Sequence, residues 1–348
     1  MEITTFNLKD GFAEAILRGY KGALLNSGDY ALMCQCENLD DLKMHLGTTS
    51  YGSFLSDVDV GGANTTTQLI ERCTDKLVEE FDFLQCQAEG PLYTFLEMCR
   101  IPHMIDNVIL IVSGCLHNQQ THELLDKCHP LGMFDAMASL AVASNMQELY
   151  QLVLIDTPLG KYFHGSLSRE DLTEMHLEIM RNMLYKSWIE DFNAFCSKKG
   201  GTTNEVMATF LSFESDRRAI SISLNSVGTE LTHDDKKSLF CKFGGLHPYG
   251  QKDLALAEDF EQILKVLSDY APYNRLLSLA NADEEQMIEE VLNGHELELC
   301  KAAFSQQFHY GVFWAYLKMK EQEIRNLMWI SECIVQNMHA RIHDGVKF

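Results

Sequence analysis

The stretch from Ala303 to Ile334 constrains the fold more than any other part of the chain. No proline interrupts it, and apolar residues recur at Phe313, Leu317, Ile324, Leu327, Met328, Ile334 and Val335, close to the helical period. Lys320 and Glu321 break the apolar stripe once. Glu321 and Arg325 stand four apart with the acid first, an order that supports an exposed helix face by roughly 0.3 kcal/mol. The spacing predicts one long amphipathic helix, or two, and carries no catalytic chemistry.

The rest of the chain extends that expectation. Six prolines in 348 residues, with few alternating β-branched runs, predict an all-α fold. Asn7 to Leu55 reads as helix, loop, helix, with a turn at Asn26-Ser27-Gly28-Asp29 and an N-cap at Asn38 for a helix ending near Gly47. Thr67 to Gln87 reads as a helix closed off by Pro91. Helices are also expected over 136–154 and 171–196. Ser197 to Thr203 and His247 to Gly250 read as connectors.

An internal repeat organises these segments. Asn38-Leu39-Asp40-Asp41-Leu42, Asn145-Met146-Gln147-Glu148-Leu149 and Asp259-Phe260-Glu261-Gln262-Ile263 form one mark. Phe95-Leu96 before Asp106-Asn107, Phe210-Leu211 before Arg218-Ala219, and Tyr316-Leu317 before Arg325-Asn326 form a second. Both recur at about 110 residues. Cys128-His129-Pro130-Leu131-Gly132 and Cys241 to Leu246 make a third mark, in two copies. The marks predict three helical units, at 1–132, 133–250 and 251–348, forming a pseudo-symmetric body about a central axis. Such a body suits a shaft-like partner.

Composition narrows the function. The net charge is −22, from 28 basic and 50 acidic residues, which argues against nucleic acid and against adsorption to an anionic lipid leaflet. An acidic surface can instead meet a basic protein. With 46% hydrophobic residues, a sizeable core is expected. Met1 to Asn7 lacks a basic start and an apolar run, so no secretory signal is expected, and the eleven cysteines are expected to be reduced thiols. The best membrane-span candidate, Met104 to Leu116, contains Asp106 and Asn107 and falls short of the roughly 20 apolar residues needed.

The residues offer little chemistry. Gly61 to Thr67 lacks the Gly-Lys-Ser/Thr ending of a phosphate-binding loop. Cys115, His117, His122, Cys128 and His129 lie close in sequence, with Cys34 and Cys36 apart from them, but without the paired spacing zinc favours. Cys99 beside Arg100, and Cys196 near lysines, are candidates for lowered thiol pKa values, with no base evident beside either. Glu214, Asp216, Arg217 and Arg218 form a charge cluster, read as an ion-pair face or a lining of the axis. Phe304, Phe308, Tyr310, Phe313, Trp314 and Tyr316 are read as core packing rather than a binding platform. No catalytic, cofactor-binding or metal-ligating residue is assigned, and neither a cofactor nor a small-molecule substrate is expected. The rival reading is a soluble helical enzyme using the Cys115–His129 region with a metal, or a helical adaptor.

Gln307 to Ile334 resembles the C-terminal signature of the subunit d family of vacuolar-type proton ATPases. The resemblance extends to Arg18 to Leu25, Glu37 to Leu46, Val153 to Phe163 and Phe213 to Asn225, in the same order, and covers nearly the whole chain. The sequence departs from the family pattern at Ser50, where an acid is usual, at His103, where an aromatic is usual, and at His247, where a tyrosine is usual. The resemblance implies a funnel of three related helical units, resting on the proteolipid ring and receiving the tip of the central stalk. It further implies a peripheral, non-catalytic coupling subunit on the cytosolic face of vacuolar or endomembrane compartments, serving proton transport.

Overall fold

A computed structural model describes residues 2–57, 65–117, 119–135, 137, 140, 157–163, 174–280 and 285–347. Every regular element among them is helical. Most of the helix expected over 136–154, the Asn145 copy of the first mark and the Gly61–Asn64 part of the glycine-rich loop lie outside the described residues. Contacts divide the chain into two compact units, one of residues 1–93 with 296–348, the other of residues 94–295.

The first unit joins the two ends of the chain. Its N-terminal part contains α1 (Glu2–Lys9), α2 (Gly11–Gly22), α3 (Ser27–Met33), α4 (Leu39–Gly47) and α5 (Thr65–Gln87). Local chemistry sets these boundaries. The Asn38 side chain accepts the Asp41 N–H at 2.8 Å and so caps α4, as the sequence predicts. The expected turn at Asn26 is instead a capping box. Asn26 accepts from Gly28 and Asp29 backbone N–H groups, while the Asp29 carboxylate accepts from the Asn26 N–H, and these bonds start α3. Turn residues and cap residues share the same short polar side chains, so the sequence pattern does not separate the two outcomes.

In the second unit, Pro91 opens α6 (Pro91–Leu116), as suits a residue whose missing N–H would have no helical partner. Then come α7 (Thr121–Asp126), a 3₁₀ turn at Pro130–Gly132, α8 (Gly160–Phe163), α9 (Glu174–Lys199) and α10 (Gly201–Asn225). The connector expected over Ser197–Thr203 shrinks to one residue. Gly200 and Gly201 take φ of +72° and +56°, which glycine tolerates without a steric penalty, and the chain reverses there so that α9 packs along α10. Next are α11 (His233–Leu239), α12 (Tyr249–Leu256), α13 (Phe260–Ser268) and α14 (Tyr273–Ala280). Asp259 caps α13 by accepting the Gln262 N–H at 2.8 Å, the same arrangement that Asn38 gives α4 at the matching repeat mark.

Helix α15 (Glu285–Ala303) leads back to the first unit, which α16 (Gly311–Val335) and α17 (Ile342–Gly345) complete. Helix α16 packs against α2, α4, α5 and α17. It is one helix, and its burial differs from the amphipathic expectation. Lys320 and Glu323 are 1% and 4% exposed, whereas Met328 and Val335 of the expected apolar stripe are 47% and 52% exposed. Glu321 pairs with Lys318 at 3.1 Å and Arg325 donates to Gln322, so the expected Glu321–Arg325 pair does not form.

Among the described residues, no helix is long and apolar enough to cross a membrane. The second repeat mark falls, in all three copies, inside the long helices α6, α10 and α16.

Candidate functional site

The residues singled out for chemistry do not assemble into a reactive centre. Among the described residues, no three His, Cys, Asp or Glu side chains are placed to share a metal ion. Cys128 donates its thiol to the Leu124 carbonyl at 3.4 Å, and His129 Nδ1 accepts the Leu131 N–H at 3.2 Å. His122 lies 3.8 Å from Asp126 on its own helix. Cys115 is half-buried on α6. Cys36 is buried, with its thiol pointed at the Leu32 carbonyl at 3.6 Å. Cys196, weighed and set aside as a reactive thiol, is pushed up to about 12 by burial.

The charge cluster on α10 splits in two. Glu214 faces Arg218 at 3.1 Å and Arg217 at 4.0 Å. Arg218 in turn lies 3.4 Å above the Tyr185 ring, and Tyr185 donates to Asp106, which also pairs with Arg181 at 2.9 Å. Of these, Arg181, Arg217 and Arg218, with Glu178, Ile179, Leu224 and Leu292, border a cavity of about 610 Å³ within the second unit.

Asp216 turns the other way. Its carboxylate accepts the Gly245 N–H at 2.9 Å, the Leu246 N–H at 3.0 Å and the Tyr273 hydroxyl at 2.9 Å. Asn107 on α6 does the same for an earlier loop. It accepts the His129 N–H at 2.8 Å and donates to the His129 carbonyl at 2.9 Å. Asn326 on α16 accepts the Lys347 N–H at 3.2 Å and also donates to the Lys347 carbonyl. All three residues are at most 2% exposed. They recur about 110 residues apart, the period of the sequence marks. Each of α6, α10 and α16 therefore carries a buried polar side chain that clasps backbone further along the chain. The two copies of the third mark are the loops clasped by Asn107 and Asp216.

The first unit holds a second polar feature in its interior. Lys320 pairs with Glu323 at 2.7 Å, and Lys76 on α5 pairs with Glu80 at 2.5 Å. Glu323 also accepts the Tyr51 hydroxyl and the Leu25 N–H, each at 2.6 Å. Glu80 accepts the Tyr316 hydroxyl at 2.5 Å. The hydroxyls, ammonium groups and backbone amide together satisfy charges that would otherwise be expensive to bury. This arrangement ties α16 to α5 and to the N-terminal segment. Of the aromatic group at the start of the C-terminal region, Tyr310, Phe313, Trp314 and Tyr316 are buried and serve as core.

Sequence reasoning missed Lys320, Glu323 and the clasps. Two of the clasp residues, Asn107 and Asn326, stand inside the second mark. The available signal was a short polar residue recurring at the repeat period. The departures from the family pattern have local partners. Ser50 donates to the Ala23 carbonyl at 3.0 Å, His103 stacks on His129 at 4.1 Å, and His247 Nδ1 lies 3.0 Å from the Gln251 side-chain oxygen.

Comparison with known proteins finds likeness along nearly the whole chain. The profile of the family described as ATP synthase (C/AC39) subunit matches residues 13–344. The chain is 53% identical over 347 residues to V-type proton ATPase subunit d1 of Arabidopsis thaliana, covering 100% of this chain and 98% of the relative. It is 47% identical to V-type proton ATPase subunit d of Dictyostelium discoideum, over 98% of this chain and 96% of the relative. It is 40% identical to V-type proton ATPase subunit d of Saccharomyces cerevisiae, over 100% of this chain and 99% of the relative.

Proposed function

Because the chain belongs to the ATP synthase (C/AC39) subunit family, we propose that it is a non-catalytic subunit of a V-type proton ATPase. The observation that carries this reading is the end-to-end likeness to several V-type subunits d. Its finer content is a coupling role. The subunit links the central stalk to the proteolipid ring, so that rotation driven by ATP hydrolysis elsewhere moves protons and acidifies an organelle. It sits at the cytosolic face of vacuolar or endomembrane compartments, attached through the ring.

A coupler has to pass torque without yielding, which calls for close packing and for ties between distant parts of the chain. The buried ion pairs of α5 and α16 and the three clasps are of that kind. The recurrence of the clasps at the repeat period also supports the proposal of three related units, at 1–132, 133–250 and 251–348, set around an axis as a funnel. Among the described residues, the Cys115–His129 side chains of the rival metal-enzyme reading do not come together as a set of three ligands.

The test is affinity purification of the tagged full-length chain from membranes solubilised in mild detergent. Recovery of proteolipid and central-stalk subunits in fixed stoichiometry is expected. Their absence under conditions that keep the rest of the ATPase intact would sink the proposal.

A further inference from the structure

Helices α12 and α13 enclose a cleft of about 300 Å³, bordered by Asp253, Leu256, Lys265, Val266, Asp269 and Tyr270. Tyr249, Asp253 and Leu256 follow the i, i+4, i+7 spacing and share one face of α12. Leu256, which borders the cleft, is 46% exposed, and Tyr249, one turn before Asp253 on the same face, is 75% exposed. Asp269 follows the last residue of α13, where the carbonyl end of the helix already disfavours a negative charge. Of the charged residues that border the cleft, Asp253 and Asp269 outnumber Lys265. Neither Asp253 nor Asp269 has a side-chain hydrogen bond or ion pair among the described residues.

We propose that this cleft is a docking site for a protein segment that carries an arginine or lysine beside a bulky apolar side chain. The cation would sit between Asp253 and Asp269 at the helix end, and the apolar neighbour would cover Tyr249 and Leu256. An exposed tyrosine beside a cleft is the kind of anchor that dominates protein interfaces. The charge excludes the other occupants. An anionic lipid surface or a nucleic acid would be repelled, and a second copy of the chain would set these acids against acids. That the segment belongs to another ATPase subunit rests on the function proposed above. The existence of the docking site does not.

The test replaces Tyr249 with the photo-crosslinking residue p-benzoylphenylalanine in the full-length chain, followed by irradiation of the native assembly and mass-spectrometric mapping. The expected result is a crosslink to a basic and apolar segment of another protein. The double substitution Asp253→Lys with Asp269→Lys should lower its yield about ten-fold. Both positions are exposed, so circular dichroism should show unchanged helix content. No crosslink above that of an exposed residue on another face, a crosslink to an acidic segment or to lipid, or a yield insensitive to the two lysines would overturn the proposal. A crosslink to a basic segment with no ATPase subunit co-purifying would leave the docking site standing and remove the assigned function.

Discussion

The Tyr51 hydroxyl donates a 2.6 Å hydrogen bond to Glu323 across 272 positions of sequence. The same carboxylate neutralises Lys320 and accepts the Leu25 N–H. Three segments that are remote in the chain therefore depend on one buried acid. Glu323→Ala should destabilise the first unit by about 3–5 kcal/mol, because it leaves the Lys320 ammonium buried without its partner. Removing both charges, as Lys320→Met with Glu323→Gln, should cost less than the single alanine change. Chemical denaturation of the three proteins decides it, and a double variant weaker than Glu323→Ala would contradict this account of the pair.

The clasps make a separate prediction. Asn107→Ala removes both hydrogen bonds to His129 and should cost about 1–3 kcal/mol. Amide hydrogen exchange should accelerate at residues 128–132 before it does elsewhere. Gly132→Ala should do comparable damage by another route, since a Cβ there would lie 2.4 Å from the His103 carbonyl and 2.6 Å from the Asn107 amide nitrogen. Unchanged exchange at that loop in both variants would mean the clasp is incidental.

Asp216 predicts a pH dependence with a definite sign. Burial pushes its carboxyl up to about 6, against the hydrogen bonds from Leu246, Tyr273 and Gly245 that pull it down. The folded chain thus holds this proton more tightly than the unfolded chain. The associated stability is fully present below the unfolded value of about 4 and is lost as pH rises through about 6. Asp216→Asn removes this dependence. The stability of the parent protein minus that of the variant should fall by on the order of 2 kcal/mol between pH 4 and pH 7. Denaturation midpoints measured across that range give the answer, and a difference that stays flat or rises would refute the sign.

Ile324 lies in the middle of α16, away from both ends. Ile324→Pro removes a helical N–H and places a ring against the preceding turn, at about 3 kcal/mol or more. The substitution should disassemble the complex or uncouple ATP hydrolysis from proton movement. Normal pumping by membranes carrying only this variant would take α16 out of the proposed coupling role.

The helices were legible because their determinants are local. The scarcity of proline, the cap at Asn38 and the apolar spacing of Leu69, Cys73, Leu77 and Phe81 on α5 each act within a few residues. What stayed hidden was set by distant neighbours. Lys320 reads as a break in the apolar stripe until Tyr51 and Glu323 surround it, and periodicity treats any charge as an outward-facing one. Lys198 and Lys199 are good helix formers, so the expected connector there contracts to Gly200, at the point where the chain reverses. Asn107 and Asn326 were in view as repeat marks, but their role depends on backbone brought close only by folding.

The union of both chain ends in one unit governs how the protein can be made. Residues up to Tyr93 leave the ribosome early, yet the helix that covers Tyr51, Leu25 and Glu80 begins only at Gly311. At ordinary translation rates the nascent segment waits about ten to fifty seconds for it. Throughout that interval its apolar face and its acids lack their cover, so the newborn chain is a client for chaperones. Any premature stop before α16 would yield a fragment marked for degradation rather than a shorter working subunit.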